Sequence, residues 1–223
     1  MSVNNNTINS RLVFENSRDM LANETGVSLA TAKLTQSFLR LENQLVVGAT
    51  QFKFPVLNNQ NNAAGTIFNT EQRLNQQDSF VAALWGVFLS NPTSNIDATF
   101  RMYTYPNSIT FTLPFATAAE TIYNSVFQLS VNNDIILPAW DVSRHRMVPQ
   151  TQQAVVQIAG SVIDMIDLSS DAFFPVEPNL IFIGSKNSVL TLILPAALAG
   201  VTAFERISVI YRGVLAQNST IIT

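Results

Sequence analysis

Apolar residues near the start of the chain recur at helical intervals. Leu34, Phe38, Leu41 and Leu45 lie four, three and four residues apart, the repeat of one face of an α-helix. Ser28 serves as the N-cap of that predicted helix and Gly48 as its stop. A shorter helix is predicted from Glu15 to Asn23, ahead of Gly26. Residues 1–47 are therefore expected to form a partly helical N-terminal arm carrying an amphipathic helix.

From Gln51 onward the period falls to two. Phe127, Leu129 and Val131 alternate with Gln128, Ser130 and Asn132, and Ile109, Phe111 and Leu113 alternate with Thr110 and Thr112. Each run predicts a strand with one buried face. Further strands are predicted at Phe52–Leu57, Gly65–Asn69, Ser79–Ser90, Ala98–Tyr105, Ile135–Trp140, Ala154–Ile158, Leu180–Ile183, Val189–Leu194 and Arg206–Ala216. Turn signals separate them, among them Asn58-Asn59, Asn91-Pro92, Asn132-Asn133-Asp134 and Ser185-Lys186-Asn187. Ala116–Asn124 admits a short helix instead. This many short strands predict an all-β chain, a β-sandwich over residues 48–223 with the size of a single jelly roll.

Composition then changes the picture of the surface. Only 12% of the 223 residues are charged while 47% are apolar, so charge stands at about half its usual share. Asn contributes 22 residues and Gln 13, whereas Lys occurs only at Lys33, Lys53 and Lys186. A polar but nearly uncharged exterior resists association poorly, and scarce Lys and Glu are the mark of surfaces that meet other proteins.

Several function classes lose their chemistry. No Cys is present, which removes disulfides, thiolate catalysis and Cys-ligated metals. The eight Gly are dispersed, so no phosphate-cradling loop forms. A net charge of −3 without a basic cluster gives no footprint for nucleic acid. The longest apolar run, Val189 to Val201, is too short to span a bilayer. The start MSVNNNTINSR lacks the basic and apolar regions of a secretory signal, so Sec export is not expected.

Candidate chemistry is sparse. The single His145 follows Asp141 and Ser143, residue types that a general base, its orienting carboxylate and a nucleophile would require. Asp164 and Asp167 could pair as carboxylates, and Asp167, Asp171 and Glu177 could approach calcium. Solvated side chains explain both groups more simply. Trp85, Trp140, Tyr103, Tyr105, Tyr123 and Tyr211 could line a carbohydrate groove, although Trp85 sits in an apolar strand and fits a core. The Asn-rich stretch from Asn58 to Asn62 is expected to be an exposed loop without chemistry. Leu34, Phe38 and Leu41 offer an apolar docking stripe, and Arg73 and Arg212 offer guanidinium forks for pairing across an interface. No catalytic residue, cofactor or metal is assigned.

Four segments carry a resemblance: Phe52-Lys53-Phe54-Pro55-Val56-Leu57, Arg73 through Phe80, Gly86-Val87-Phe88-Leu89 and Tyr211-Arg212-Gly213-Val214-Leu215. Together they resemble the strand-and-turn phrases of bacteriophage virion proteins of the jelly-roll capsid type. That resemblance implies a structural protein that is not an enzyme and that assembles with copies of itself and other virion proteins. It also implies residence in the virion after assembly in the host cytoplasm, and an N-terminal arm that ties neighbours together. The arm here mixes Arg11, Arg18, Lys33 and Arg40 with Glu15, Asp19, Glu24 and Glu42, so genome binding by it is not expected. A tail tube, head fibre or decoration protein is the nearest alternative, and a carbohydrate-binding or adhesin sandwich is the alternative from another class.

Overall fold

The computed structural model of the chain describes residues 15–23, 32–59, 68–94, 96–98, 100, 102–104, 113–146, 172–201 and 204–219. Within them the alternating segments pair into two antiparallel sheets. Strands β1 (Lys33–Gln44), β3 (Ser79–Ser90), the two-residue β4 (Met102–Tyr103), β7 (Phe174–Ile183) and β9 (Arg206–Gln217) make the first sheet. Its order is β1-β9-β3, with β7 and β4 sharing the far side of β3. Strands β2 (Gln51–Pro55), β5 (Val126–Val131), β6 (Asp134–Asp141) and β8 (Ser188–Ile193) make the second, in the order β2-β8-β5-β6. The chain is thus an all-β sandwich. Two helices accompany the sheets, α1 over residues 15–23 and α2 (Leu113–Tyr123), and a short 3-10 turn, Val142–His145, follows β6.

The inward faces form one core. Phe54, Phe80, Trp85, Phe127, Phe182, Leu190, Leu192 and Tyr211 are buried between the sheets, and α2 adds Phe115, Ala118, Ala119 and Ile122. Strand β3 runs as SFVAALWGVFLS, almost wholly buried, because β9 flanks it on one side, β7 on the other, and both of its faces are covered. A bulge between Ala82 and Leu84 inserts one residue. Inward positions therefore switch from Phe80 and Ala82 to Trp85, Val87 and Leu89. Opposite the bulge lies Gly213, where a Cβ would stand 1.8 Å from the Val81 carbonyl oxygen. Only glycine permits that approach.

The outer face of the first sheet is covered in three patches. Leu21 of α1 packs with Val81, Val214 and Ala216, and Ala172 and Phe173 cover Phe88 and Ile210. At the third patch Arg40, Glu42 and Arg206 meet loop residues Phe68 and Glu71.

Strand β1 corrects the helix expected over residues 34–45. It pairs with β9 along its whole length, from Lys33 opposite Gln217 to Gln44 opposite Arg206. Leu39 was no member of the helical stripe, yet it alternates with Leu41 into the core. Long-range pairing with β9 outweighs local periodicity, a weak prior by comparison. The sandwich accordingly begins at Lys33, not at residue 48. Helix α1 occupies the span proposed for the shorter helix, but Leu21 lies fully buried against its own sheet. Leu21 thus docks α1 on its own sheet.

Most other strands fall close to their predicted spans, β3 with identical ends, but β7 runs from Phe174 to Ile183 through Pro178-Asn179, read as a turn signal, where the expected strand covered only Leu180–Ile183. Leu113, predicted as the end of a strand, instead starts α2. Residues 68–69 are not strand, and of the described residues in the strand predicted at Ala98–Tyr105 only Met102–Tyr103 is paired. The remaining parts of the strands predicted at Gly65–Asn69 and Ile109–Leu113, and all of Ala154–Ile158, lie outside the described residues.

Candidate functional site

Strand register gathers the loops at two opposite ends of the sandwich. At one end β1 finishes, β9 starts and β3 finishes, since Arg206 lies opposite both Gln44 and Ser90. The turn after β1 is bonded there to the loop before β9: Gly48 N–H donates to the Leu198 carbonyl at 2.7 Å, and Leu45 N–H to the Glu205 carbonyl at 2.8 Å. Arg206 Nη2 holds the loop after β3 by donating to the Ser94 carbonyl at 2.8 Å. This end exposes large apolar side chains: Val46 by 53%, Val47 by 62%, Ile96 by 78% and Phe204 by 36%. Pro195, Ala196, Ala197 and Ala199 are exposed beside them. The loop's carboxylate, Asp97, is turned to the Thr93 amide and hydroxyl at 2.9 Å each.

Beneath this end the scarce charges are internal. Glu42, with a fully buried side chain, pairs with Arg40 and, at 3.4 Å, with Arg206. The Arg206 guanidinium lies 4.0 Å from the centre of the Phe68 ring. Glu71 accepts from the backbone amides of Glu42 and Phe68 and from Arg73, all at 3.0 Å. Each carboxylate is met by several donors, the condition under which buried charge is tolerated.

The opposite end is built from carboxamides. Asn132 and Asn133 turn β5 into β6 with φ of 50° and 71°, the left-handed pair of a two-residue hairpin. Asn132 is bonded to Asn187 of the β7–β8 turn in both directions, amide to carbonyl at 2.7 Å and amide to side chain at 2.8 Å. Nearby, Asn58, Asn75, Gln76, Gln77, Gln217 and Asn218 surround the buried Asp78 in a recess of about 480 Å³. Asp78 accepts from the Asn218 amide at 2.9 Å and from Asn75 Nδ2 at 3.1 Å, and Asn75 Oδ1 accepts from Asn58. Gly184 lets the β7–β8 turn close behind, since a Cβ there would stand 2.3 Å from the Asn75 carbonyl oxygen.

The imidazole bonds to Trp140 while Ser143 bonds to Asp141, so among the described residues these three side chains do not form one relay. The Ser143 hydroxyl donates to Asp141 at 2.7 Å and the Ser143 amide to the same carboxylate at 2.9 Å. Those two bonds lower the Asp141 pKa. His145 points inward, fully buried, and its Nε2 accepts from Trp140 Nε1 at 3.0 Å. Burial pushes its pKa down to about 3, with Asp141 opposing. The ring is therefore neutral, with its proton on Nδ1.

The predicted interface residues scatter. Leu34 and Phe38 point to the outer face of the first sheet and Leu41 to the core, because residues of unlike parity leave a strand on opposite sides. Leu41 is fully buried, Leu34 packs on the α1 patch, and Phe38 alone is open, by 48%. Arg73 is buried on Glu71, and Arg212 stacks 3.9 Å from the Phe173 ring. Leu41 and Arg73 are thus corrected as interface residues, since the chain's own packing uses them. The aromatic groove is not assembled among the described residues. Trp85, Tyr103, Tyr123 and Tyr211 are buried, Trp140 is bonded to His145 with Arg144 over its ring, and Tyr105 lies outside the described residues. Asp164, Asp167 and Asp171 also lie outside them. Among the described residues no group of acids and imidazole is arranged to hold a metal, and no helix is long and apolar enough to cross a membrane.

Sequence reasoning missed both ends. The adjacent pair Val46-Val47 before Gly48 was the available signal for the apolar one, because consecutive exposed apolar residues in a turn need a reason. No family model, no curated protein and no solved structure matches the chain.

Proposed function

We propose that the chain is a structural virion protein, a single jelly roll that assembles with copies of itself into a bacteriophage capsid shell and carries out no chemistry. The nested pairing of its long strands supports the jelly roll: β1 with β9, β2 with β8, β3 with β7 and β5 with β6. Such nesting is what a long antiparallel hairpin gives when it is rolled into two facing sheets. A jelly roll hosts shells, lectins and enzymes alike, so the function rests on the surface.

The observation that carries the proposal is the apolar end. Val46, Val47, Ile96 and Phe204 stand in water on a chain that has sunk Glu42, Arg73, Glu205 and Arg206 into its interior. A solitary soluble protein keeps charge outside to prevent association. Sister copies covering the apolar end remove the exposed surface at repeated contacts, each of modest affinity, which sum over a closed shell. Partners are copies of the chain and other virion proteins, and residence is the virion, after assembly in the host cytoplasm. Negative-stain imaging of the purified chain tests this: closed particles support a shell, tubes or fibres transfer the role to another virion part, and a dispersed monomer rejects both.

A further inference from the structure

We propose that the recess at the carboxamide end is a binding site for a neutral saccharide, a function separate from assembly. Its size, about 480 Å³, lies within the usual range for small-ligand sites. Its lining selects the ligand by exclusion and by match.

The exclusions come first. Among the described lining residues Asp78 is the one charged group, and both of its oxygens already accept hydrogen bonds, from the Asn218 amide and Asn75 Nδ2, so it orients neighbours, and one carboxylate is fewer charged ligands than a cation loop supplies. Among the described residues no Lys or Arg lines the recess, which removes the partner that a phosphate or carboxylate ligand needs. Among the described residues no aromatic or aliphatic side chain lines it, so an apolar ligand finds nothing there to bury against. An extended peptide is disfavoured by placement. The recess sits where β3 begins and β9 ends, between turns, and offers no open strand edge along which a backbone could pair.

A polyhydroxylated ring fits what remains. Each carboxamide presents a carbonyl acceptor beside an amide donor, and neighbouring hydroxyls of a sugar present the same pair in reverse. The floor is held in advance: Asp78 fixes Asn75, Asn75 fixes Asn58, and Asn218 is held at φ 54° by its amide bond to Asp78. Side chains already ordered lose less freedom when a ligand arrives. Gln77 and Gln217 complete the rim.

Saturation-transfer NMR on the full chain tests the site, using D-mannose, D-galactose, N-acetylglucosamine and short oligomers of each. Transfer to ring protons of at least one sugar is expected, from the free monosaccharide if a single ring is bound and from oligomers alone if the source is a longer glycan. Substituting Gln77→Ala and Gln217→Ala together weakens that binding about tenfold or more, the loss of one to two hydrogen bonds. The thermal midpoint is expected to stay unchanged, which separates lost binding from lost fold. No transfer from any of these sugars, or transfer indifferent to the double substitution, overturns the proposal. So does occupation of the recess by an Asn-rich peptide, mapped by side-chain amide shifts, in the absence of sugar binding. Particle formation is unaffected by the two substitutions, so this proposal and the shell can fail independently.

Discussion

The two ends of the sandwich place their charges differently: the carboxamide end exposes Lys33, Asp134 and Lys186, whereas the apolar end holds an ionic cluster in its interior. The end bearing Val46, Val47, Ile96 and Phe204 is apolar outside and ionic beneath, with Arg40, Glu42, Glu71 and Arg206 joined under its loops. The end bearing Asn58, Asn75, Gln217 and Asn218 presents carboxamides ordered by the buried carboxylate of Asp78, with Ile135 and Ile136 exposed by 57% and 58% beside its hairpin turn. Low charge in the sequence thus conceals two surfaces of different make-up, one dominated by apolar side chains and one by carboxamides. The first gains by losing water to a partner, whereas the second holds hydrogen-bonding groups that any partner must replace.

The largest expected effects lie in the interior at the apolar end. His145 has a folded pKa of about 3 against an ordinary value of 6.5, so the unfolded chain takes up the proton first as pH falls. Stability from this residue is complete above pH 6.5 and declines on acidification to about pH 3, at up to about 1.4 kcal/mol per pH unit and about 4–5 kcal/mol in all. Urea unfolding across that range, compared with His145→Leu, isolates the contribution because the chain has no other His. The slope attributable to His145 should vanish in the variant; an unchanged slope places the ring in water.

Next comes Glu42→Ala, which leaves Arg40 and Arg206 without their shared carboxylate. A loss of about 3–5 kcal/mol is expected in denaturant unfolding, as for one partner removed from a buried pair. A loss below about 1 kcal/mol contradicts burial of this network.

Substitutions at the surfaces are expected to spare the fold and separate the two ends. Val47→Asp with Ile96→Asp should change stability by no more than about 0.5 kcal/mol while abolishing particles in electron micrographs, because each new charge would have to be desolvated at the contact. Asn58→Ala at the other end should leave both stability and particles within error, since that side chain is exposed and bonded only to another exposed carboxamide. If the Asn58 substitution disperses particles and the aspartates do not, the roles of the two ends are reversed.

Much of the framework is legible in the sequence where burial is one-sided or complete. Phe127, Leu129 and Val131 alternate and form β5, and the unbroken run Ser79–Ser90 forms the central β3. Asn132-Asn133 tolerates positive φ and makes the hairpin turn. Strand β1 was not legible, because Leu34, Phe38 and Leu41 satisfy helical spacing by coincidence and the partner that decides the matter, β9, lies more than 160 residues away. Arg73 looked available for pairing across an interface, although Glu71, two residues before it and so on the same face of an extended segment, was a local signal for the pair. The apolar end was hidden for the same reason as β1: residues 46, 96 and 204 share no local pattern, and only the register of β1, β3 and β9 brings them to one place.

The central claim is that the apolar end is covered by sister copies, and sedimentation velocity of the purified full chain over a wide concentration range tests it most directly. The account predicts large, discrete assemblies that Val47→Asp with Ile96→Asp converts to a folded 24.5 kDa species. A native chain that sediments as a 24.5 kDa monomer at every concentration contradicts it.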